Sequence, residues 1–165
     1  ESRGPLLFVQ ERVGRYGRRF PMLKFRTMRV GADDEQPALQ GHNRLVGPAF
    51  KLDSDPRVTR VGWWLRRTSL DELPQLVNIL RGEMSLVGPR PPLVVEVAAY
   101  GPGQQRRLSM RPGLTGLWQV TARDEPDVSR WIALDLQYID HWTLLGDLGL
   151  IVRTLPAVLI GRGAR

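Results

Sequence analysis

Residues Thr68–Gln75, TSLDELPQ, set two adjacent carboxylates, Asp71 and Glu72, ahead of an apolar run. Read locally, the stretch is a helix start: Ser69, followed three residues later by Glu72, makes a capping box. Pro74 narrows the position. Deep in a helix it loses a hydrogen bond and clashes with the carbonyl four residues back, whereas the first turn tolerates it. The spacing therefore predicts a helix that begins around Ser69 to Asp71 and runs to about residue 80, with Leu73, Leu76, Val77 and Leu80 on one side. Both carboxylates then lie at its positive end, where unpaired N–H groups and the helix dipole keep Asp71 ionised. Such a placement suits a well-capped surface helix, and it equally suits a nucleophile or a metal ligand.

Working outward, VTRVGWWLRR (58–67) has helical spacing, with Val58, Val61, Trp64 and Leu65 as an apolar stripe beside Arg57, Arg60 and Arg67. Upstream, LLFVQERV (6–13) and FPMLKFRTM (20–28) read as two strands around the turn Gly14-Arg15-Tyr16-Gly17. Alternation puts Lys24, Arg26 and Met28 on one face of the second strand. Residues 31–56 are polar and rich in Gly, Pro and Asp, a long loop with room for one short helix. Downstream, 84–92 is a turn-rich loop, 94–109 a helix, and 111–120 a loop leading into a short strand. Helices follow over about 129–142 and 146–160, the latter interrupted by Pro156. The predicted class is α+β, with helices around a small antiparallel hairpin, in one domain over 1–165.

Composition narrows the chemistry. The chain has 165 residues, 42% of them apolar, enough for one domain with a core. It has no cysteine, which excludes disulfides and thiolate-bound metal, and its two histidines, His42 and His141, are too far apart to read as a ligand pair. The net charge of +7 rests on arginine, since Lys24 and Lys51 are the only lysines, and points to phosphate-bearing partners. No run reaches the roughly 18 apolar residues of a spanning helix. The last helix and Trp63, Trp64, Trp131 and Trp142 fit either a membrane interface or a packed core, and periodicity alone slightly favours the core.

Two carboxylates repel an approaching phosphate unless positive charge intervenes. Lys24 in KFRTM, Arg66 and Arg67 just upstream of the pair, and Arg90 in GPRPP are available to supply it. A divalent ion, Mg²⁺ by preference for hard oxygen ligands, supplies more. A carboxylate pair among cations fits phosphoryl transfer, although spacing alone does not make these groups converge.

With these residues in view, the chain resembles the catalytic domain of the bacterial sugar transferases, the monotopic phosphoglycosyl transferases. The matching segments run in order: GPLLFVQERVG, KFRTM, DPRVTRVGWWLRRTSLDELPQLVNIL, RGEMSLVGPRPP, RPGLTGLWQV and LDLQYIDHW. The resemblance implies transfer of a phosphosugar from a UDP-sugar, a UDP-hexose by preference, to polyprenyl (undecaprenyl) phosphate, with release of UMP. It makes Asp71 the nucleophile, carrying a covalent phosphosugar, and a Mg²⁺ ligand. Glu72 is its dyad partner, and Lys24, Arg66 and Arg90 fall on phosphate-holding positions. Thr121-Ala122-Arg123-Asp124 departs from the family's usual Asn-Gly-Arg-Asn or Ser-Gly-Arg-Ser but keeps Arg123. Arg111, Asp135 and Tyr138 are left between site-shaping and packing roles.

The resemblance also implies amphipathic helices resting on lipids at the cytoplasmic face of a bacterial inner membrane, with self-association left open. The re-entrant membrane helix that family members carry ahead of the GPLLF-like strand is missing, so the chain is expected to be part of a longer protein. PGLTGLWQV and the ending VLIGRGA look more like the larger, hexose-1-phosphate branch. Three rivals stand beside this reading: a non-catalytic nucleic-acid-binding module, a catalytically dead membrane-surface adaptor, and an ordinary glycosyltransferase that releases UDP. The phosphoglycosyl reading expects no nucleic-acid partner.

Overall fold

The structure, a computed structural model, describes residues 1–159. Strand β1 (Leu7–Val13) pairs antiparallel with β2 (Arg19–Phe25), with Phe8 opposite Lys24 and Arg12 opposite Phe20. The turn between them takes Tyr16 and Gly17 to positive φ, 58° and 77°. Opposed residues of an antiparallel pair share a face. One face of the hairpin therefore carries Phe8, Gln10 and Arg12 from β1 and Phe20, Met22 and Lys24 from β2. Phe20 and Met22 are buried against Met84.

After a loop that includes helix α1 (Gln36–Leu39), Thr59 starts helix α2 (Arg60–Arg67) by accepting a hydrogen bond from the Gly62 amide at 2.9 Å. Gly62 is buried where α2 crosses the end of the hairpin. A Cβ built there would lie 1.9 Å from the Thr27 carbonyl oxygen, so only glycine allows the approach. This crossing aims Arg66 back at Thr27.

The dyad region corrects the expectation of a single capped helix. Ser69 makes no cap. It adopts the left-handed conformation, φ 55°, and turns the chain into a 3₁₀ turn over Leu70–Glu72. Helix α3 (Gln75–Leu80) begins only after Pro74, its N-cap. Glu72 cannot close a capping box because its carboxylate is held by Lys24. The stripe of α3 is present but faces outward: Leu73, Leu76, Val77 and Leu80 are exposed, while Gln75 and Asn78 are buried. Asn78 accepts from the Leu23 amide (3.1 Å) and donates to the Pro21 carbonyl (2.8 Å) and to Glu83 (2.6 Å), tying α3 to β2.

Strand β3 (Ser85–Val87) pairs in parallel with β4 (Gly113–Thr115), a small second sheet that the turn-rich composition concealed. The helix expected over 94–109 is broken by Gly101-Pro102-Gly103 into α4 (Val94–Ala98) and a 3₁₀ stretch over Gln104–Ser109. The strand expected near 120 is instead helix α5 (Leu117–Thr121). It seats Trp118 on Trp131 with ring centroids 4.6 Å apart, a tertiary contact that overrides local β propensity. Helix α6 (Val128–Asp140) completes this core with Val128, Trp131 and Ile132 packed on Leu45 and Ala49. Helix α7 (Leu144–Leu159) runs through Pro156 without a break. The closing residues of VLIGRGA, from 160 on, lie outside the described residues. Among the described residues, no helix is long and apolar enough to cross a membrane.

Candidate active site

The fold brings Lys24, Arg66, Asp71, Glu72, Arg90 and Arg123 to the wall of one cavity of about 640 Å³. Nine cationic side chains line it against three acidic ones, so the cavity attracts anions even though it contains the dyad.

Asp71 is 9% exposed and, among the described residues, accepts no hydrogen bond from another side chain. The helix-terminus argument made its carboxylate easy to ionise; the structure reverses that. Burial pushes the carboxyl above its ordinary 3.8, partly offset by Lys24 and Arg66 and reinforced by Glu72. A six-residue helix that starts beyond Pro74 puts little positive potential at Asp71. Glu72 behaves oppositely. Burial acts against its ionisation, but Lys24, Arg123 and Arg90 outweigh burial and hold the carboxyl below its ordinary 4.5. Its Oε1 accepts from Lys24 Nζ at 2.7 Å. Adjacent carboxylates are thus driven apart: Glu72 is committed to a cation, and Asp71 is left basic and free.

The cations are held by specific partners. Arg66 donates from Nε to Thr27 Oγ1 at 2.9 Å, leaving its terminal nitrogens uncommitted. Arg90 donates from Nη1 to both oxygens of Glu96, at 3.2 and 3.0 Å, and the Leu93 amide also donates to Glu96 at 2.8 Å. Glu96, 2% exposed, therefore fixes one edge of the Arg90 guanidinium and leaves the other free. Arg123 is half-buried and close enough to Glu72 to favour its charge.

Asp135 and Tyr138 do not reach the cavity. Asp135 is 1% exposed and accepts from Arg107 Nε at 3.0 Å and Nη2 at 2.5 Å. Burial pushes its carboxyl up to about 6 against the pull of Arg107. Arg107 also donates to the Arg90 carbonyl at 3.3 Å, so this pair braces the GPRPP turn from behind. Tyr138 donates to Asp147 at 2.8 Å and ties α6 to α7. Arg111, His42 and His141 are exposed and away from the cavity wall.

Arg12 lines the cavity and was missed in the sequence. The signal was available in the alternation of the hairpin, which puts Gln10 and Arg12 on the face that carries Lys24. Among the described residues, no group of three or more His, Cys, Asp or Glu side chains converges as a ligand set. A divalent ion here therefore needs substrate phosphates as ligands beside Asp71. The uncommitted carboxylate fits that arrangement, the usual one for Mg²⁺.

Comparison with known proteins gives the same direction over nearly the whole length. The family model for bacterial sugar transferases matches residues 1–161. The chain is 50% identical over 163 residues to the galactosyl transferase CpsE of Streptococcus agalactiae, covering 98% of this chain and 36% of that protein. It is 44% identical to the exopolysaccharide production protein ExoY of Rhizobium meliloti, covering 98% of this chain and 73% of ExoY. It is 41% identical to the undecaprenyl-phosphate galactose phosphotransferase of Salmonella typhimurium, covering 98% and 35%. The chain thus spans about a third of the length of two of these relatives. With an ordered match over residues 1–161 and the dyad inside it, the chain belongs to the bacterial sugar transferase family.

Proposed function

We propose that this chain transfers a sugar 1-phosphate from a UDP-sugar to undecaprenyl phosphate, with release of UMP, as the first step of a bacterial exopolysaccharide or glycoconjugate. The names of relatives supply the reaction class: one is an undecaprenyl-phosphate galactose phosphotransferase, and another, from Caulobacter vibrioides, is a UDP-glucose:undecaprenyl-phosphate glucose-1-phosphate transferase. The observation that carries the mechanism is Asp71, a buried carboxylate with no side-chain donor among the described residues, in a cavity lined by cations.

In the first step an Asp71 oxygen attacks the β-phosphorus of the donor. The bond from that phosphorus to the bridging oxygen breaks, and UMP leaves with the oxygen. The acyl phosphate left on Asp71 carries the sugar. In the second step an oxygen of the lipid phosphate attacks the same phosphorus, the bond to Asp71 breaks, and the carboxylate is restored. Two steps let a soluble and a membrane-bound anion use one cavity in turn. A raised carboxyl pKa makes Asp71 the stronger nucleophile once it is ionised. Lys24, held by Glu72, and Arg66, with its terminal nitrogens uncommitted, neutralise the transferring phosphoryl group, and Arg90 offers its open edge to the substrate phosphates. Arg123 serves the same potential from the Glu72 side. Asp71, together with substrate phosphate, would hold a Mg²⁺ ion, which would supply further charge neutralisation.

The exposed apolar faces of α2 and α3, with Val61, Trp63, Trp64, Leu76, Val77 and Leu80, would rest on the cytoplasmic face of the inner membrane and present the cavity to the lipid phosphate. The test is nucleotide release by the full-length protein in nanodiscs with Mg²⁺, undecaprenyl phosphate and a panel of UDP-sugars. UMP from one or two sugars, lost in Asp71→Asn, is the expected result. UDP release would replace this reading with an ordinary glycosyltransferase.

A further inference from the structure

The cavity wall carries a buried charge, Arg12, that the proposed reaction does not use. Arg12 is 9% exposed and lines the wall, and among the described residues its hydrogen bonds go only to neutral acceptors. Nε and Nη2 donate to Gln10 Oε1 at 3.0 and 2.6 Å, and Nη1 donates to the Pro91 carbonyl at 2.9 Å. A guanidinium carries five N–H groups, so one on each terminal nitrogen is unclaimed. Among the described residues no salt bridge neutralises Arg12, whereas Arg57, also buried, is paired with Asp55 at 2.6 Å. A buried charge without a counter-ion is costly to keep. Burial, with repulsion from nearby Arg90, presses the Arg12 guanidinium down to about 9, and Glu96 and Glu72 offset this only in part. Arg90 also has an unclaimed edge, because Glu96 takes only its Nη1. Gln10 and Pro91 meanwhile hold Arg12 in one orientation, so its donors are aimed before any ligand arrives.

We infer that Arg12 and Arg90 together form a phosphate cradle on the Glu72 side of the dyad. An anion entering between two like-charged forks relieves their repulsion and completes their hydrogen bonds, and planar forks suit phosphate oxygens. Asp71 lies near Arg66 and Lys24, whereas Glu72 lies near Lys24, Arg123 and Arg90. The cradle therefore takes a phosphate next to the one being transferred. Its identity rests on the phosphosugar-transfer reading, which offers two sources: the leaving phosphate of the nucleotide, or the phosphate of the lipid acceptor.

Inorganic pyrophosphate, titrated into full-length protein by calorimetry, tests the cradle without turnover. Arg12→Gln is expected to weaken binding at least tenfold, and Arg12→Lys, which keeps charge but not the fork, by a smaller factor. In unmodified protein, the Arg12 side-chain N–H resonances should shift on titration, which needs no variant to fold. Affinities within twofold of the parent in correctly folded Arg12 variants, or unshifted Arg12 resonances, would overturn the inference. Kinetics then separate the sources. Arg12→Lys slows the UMP burst without acceptor and raises KM for the UDP-sugar if the nucleotide phosphate sits there. It spares the burst and raises KM for undecaprenyl phosphate if the lipid phosphate does. If the parent protein releases no UMP, the transfer reading falls, while the pyrophosphate titration still decides the cradle.

Discussion

Helices α3 and α6 each carry an apolar stripe at helical spacing, and they point it in opposite directions. In α6 the stripe goes inward: Trp131 and Ile132 pack with Trp118 and Leu45 in the core. In α3 the order is inverted, with Leu80 88% exposed and Asn78 fully buried. The inversion follows from what each helix meets. Helix α6 faces apolar side chains. Helix α3 faces the backbone of β2, whose Leu23 amide and Pro21 carbonyl are satisfied by one amide side chain. A stripe therefore says that a helix has a side, and its neighbours decide which side is inward. The outward stripe on α3 and the exposed apolar residues of α2 are the surface on which the proposed lipid substrate would approach the dyad.

Substitutions on both helices can break this contrast. Trp131→Ala removes a stacked core ring and should cost about 3–5 kcal/mol in chemical denaturation. Asn78→Leu strands the Leu23 amide, the Pro21 carbonyl and Glu83, and should cost about 2–3 kcal/mol even though it makes α3 more apolar. A stabilising Asn78→Leu would mean that the buried amide is not what holds the helix inverted. Trp64→Ala should change stability by no more than about 0.5 kcal/mol, yet reduce flotation with anionic vesicles severalfold.

The dyad allows a sharper test, because its members shift in opposite directions. Asp71 binds its proton more tightly folded than unfolded, so ionising it costs stability. The cost is absent below its ordinary 3.8 and complete once pH exceeds the raised folded value. Glu72 is depressed, so its contribution is present above 4.5 and lost as pH falls through the folded value. At pH 7, Asp71→Asn should raise Tm and Glu72→Gln should lower it, with the two converging on the parent in acid. Shifts of the same sign at pH 7 would contradict this assignment of the pair.

Much of the site was legible in the sequence. Lys24, Arg66, Asp71, Glu72, Arg90 and Arg123 do share one cavity, and the hairpin lies where expected except that its second strand ends early, at Phe25. What failed had physical causes. Ser69 looked like a cap because Glu72 follows at the right spacing, but Glu72 prefers Lys24, which is 48 residues away in sequence. Arg12 drew no attention because nothing local shows that the loop over Pro89–Pro92, whose Pro91 carbonyl accepts from its Nη1, packs beside it. The tryptophans do not all meet the core expectation: Trp131 is core, whereas Trp63, Trp64 and Trp142 are about half exposed. Asp135, left between site-shaping and packing roles, proved to be a brace, reaching the cavity only through Arg107 and the backbone of Arg90.

The central claim is that Asp71 becomes covalently loaded. Full-length protein mixed with Mg²⁺ and its UDP-sugar, with lipid phosphate withheld, should gain the mass of one phosphosugar, mapped to the Asp71 peptide, in step with UMP release. Undecaprenyl phosphate should discharge it, and Asp71→Asn should never gain it. Turnover to UMP with the protein unmodified at every time sampled, and a direct single-step transfer in its place, would contradict the account.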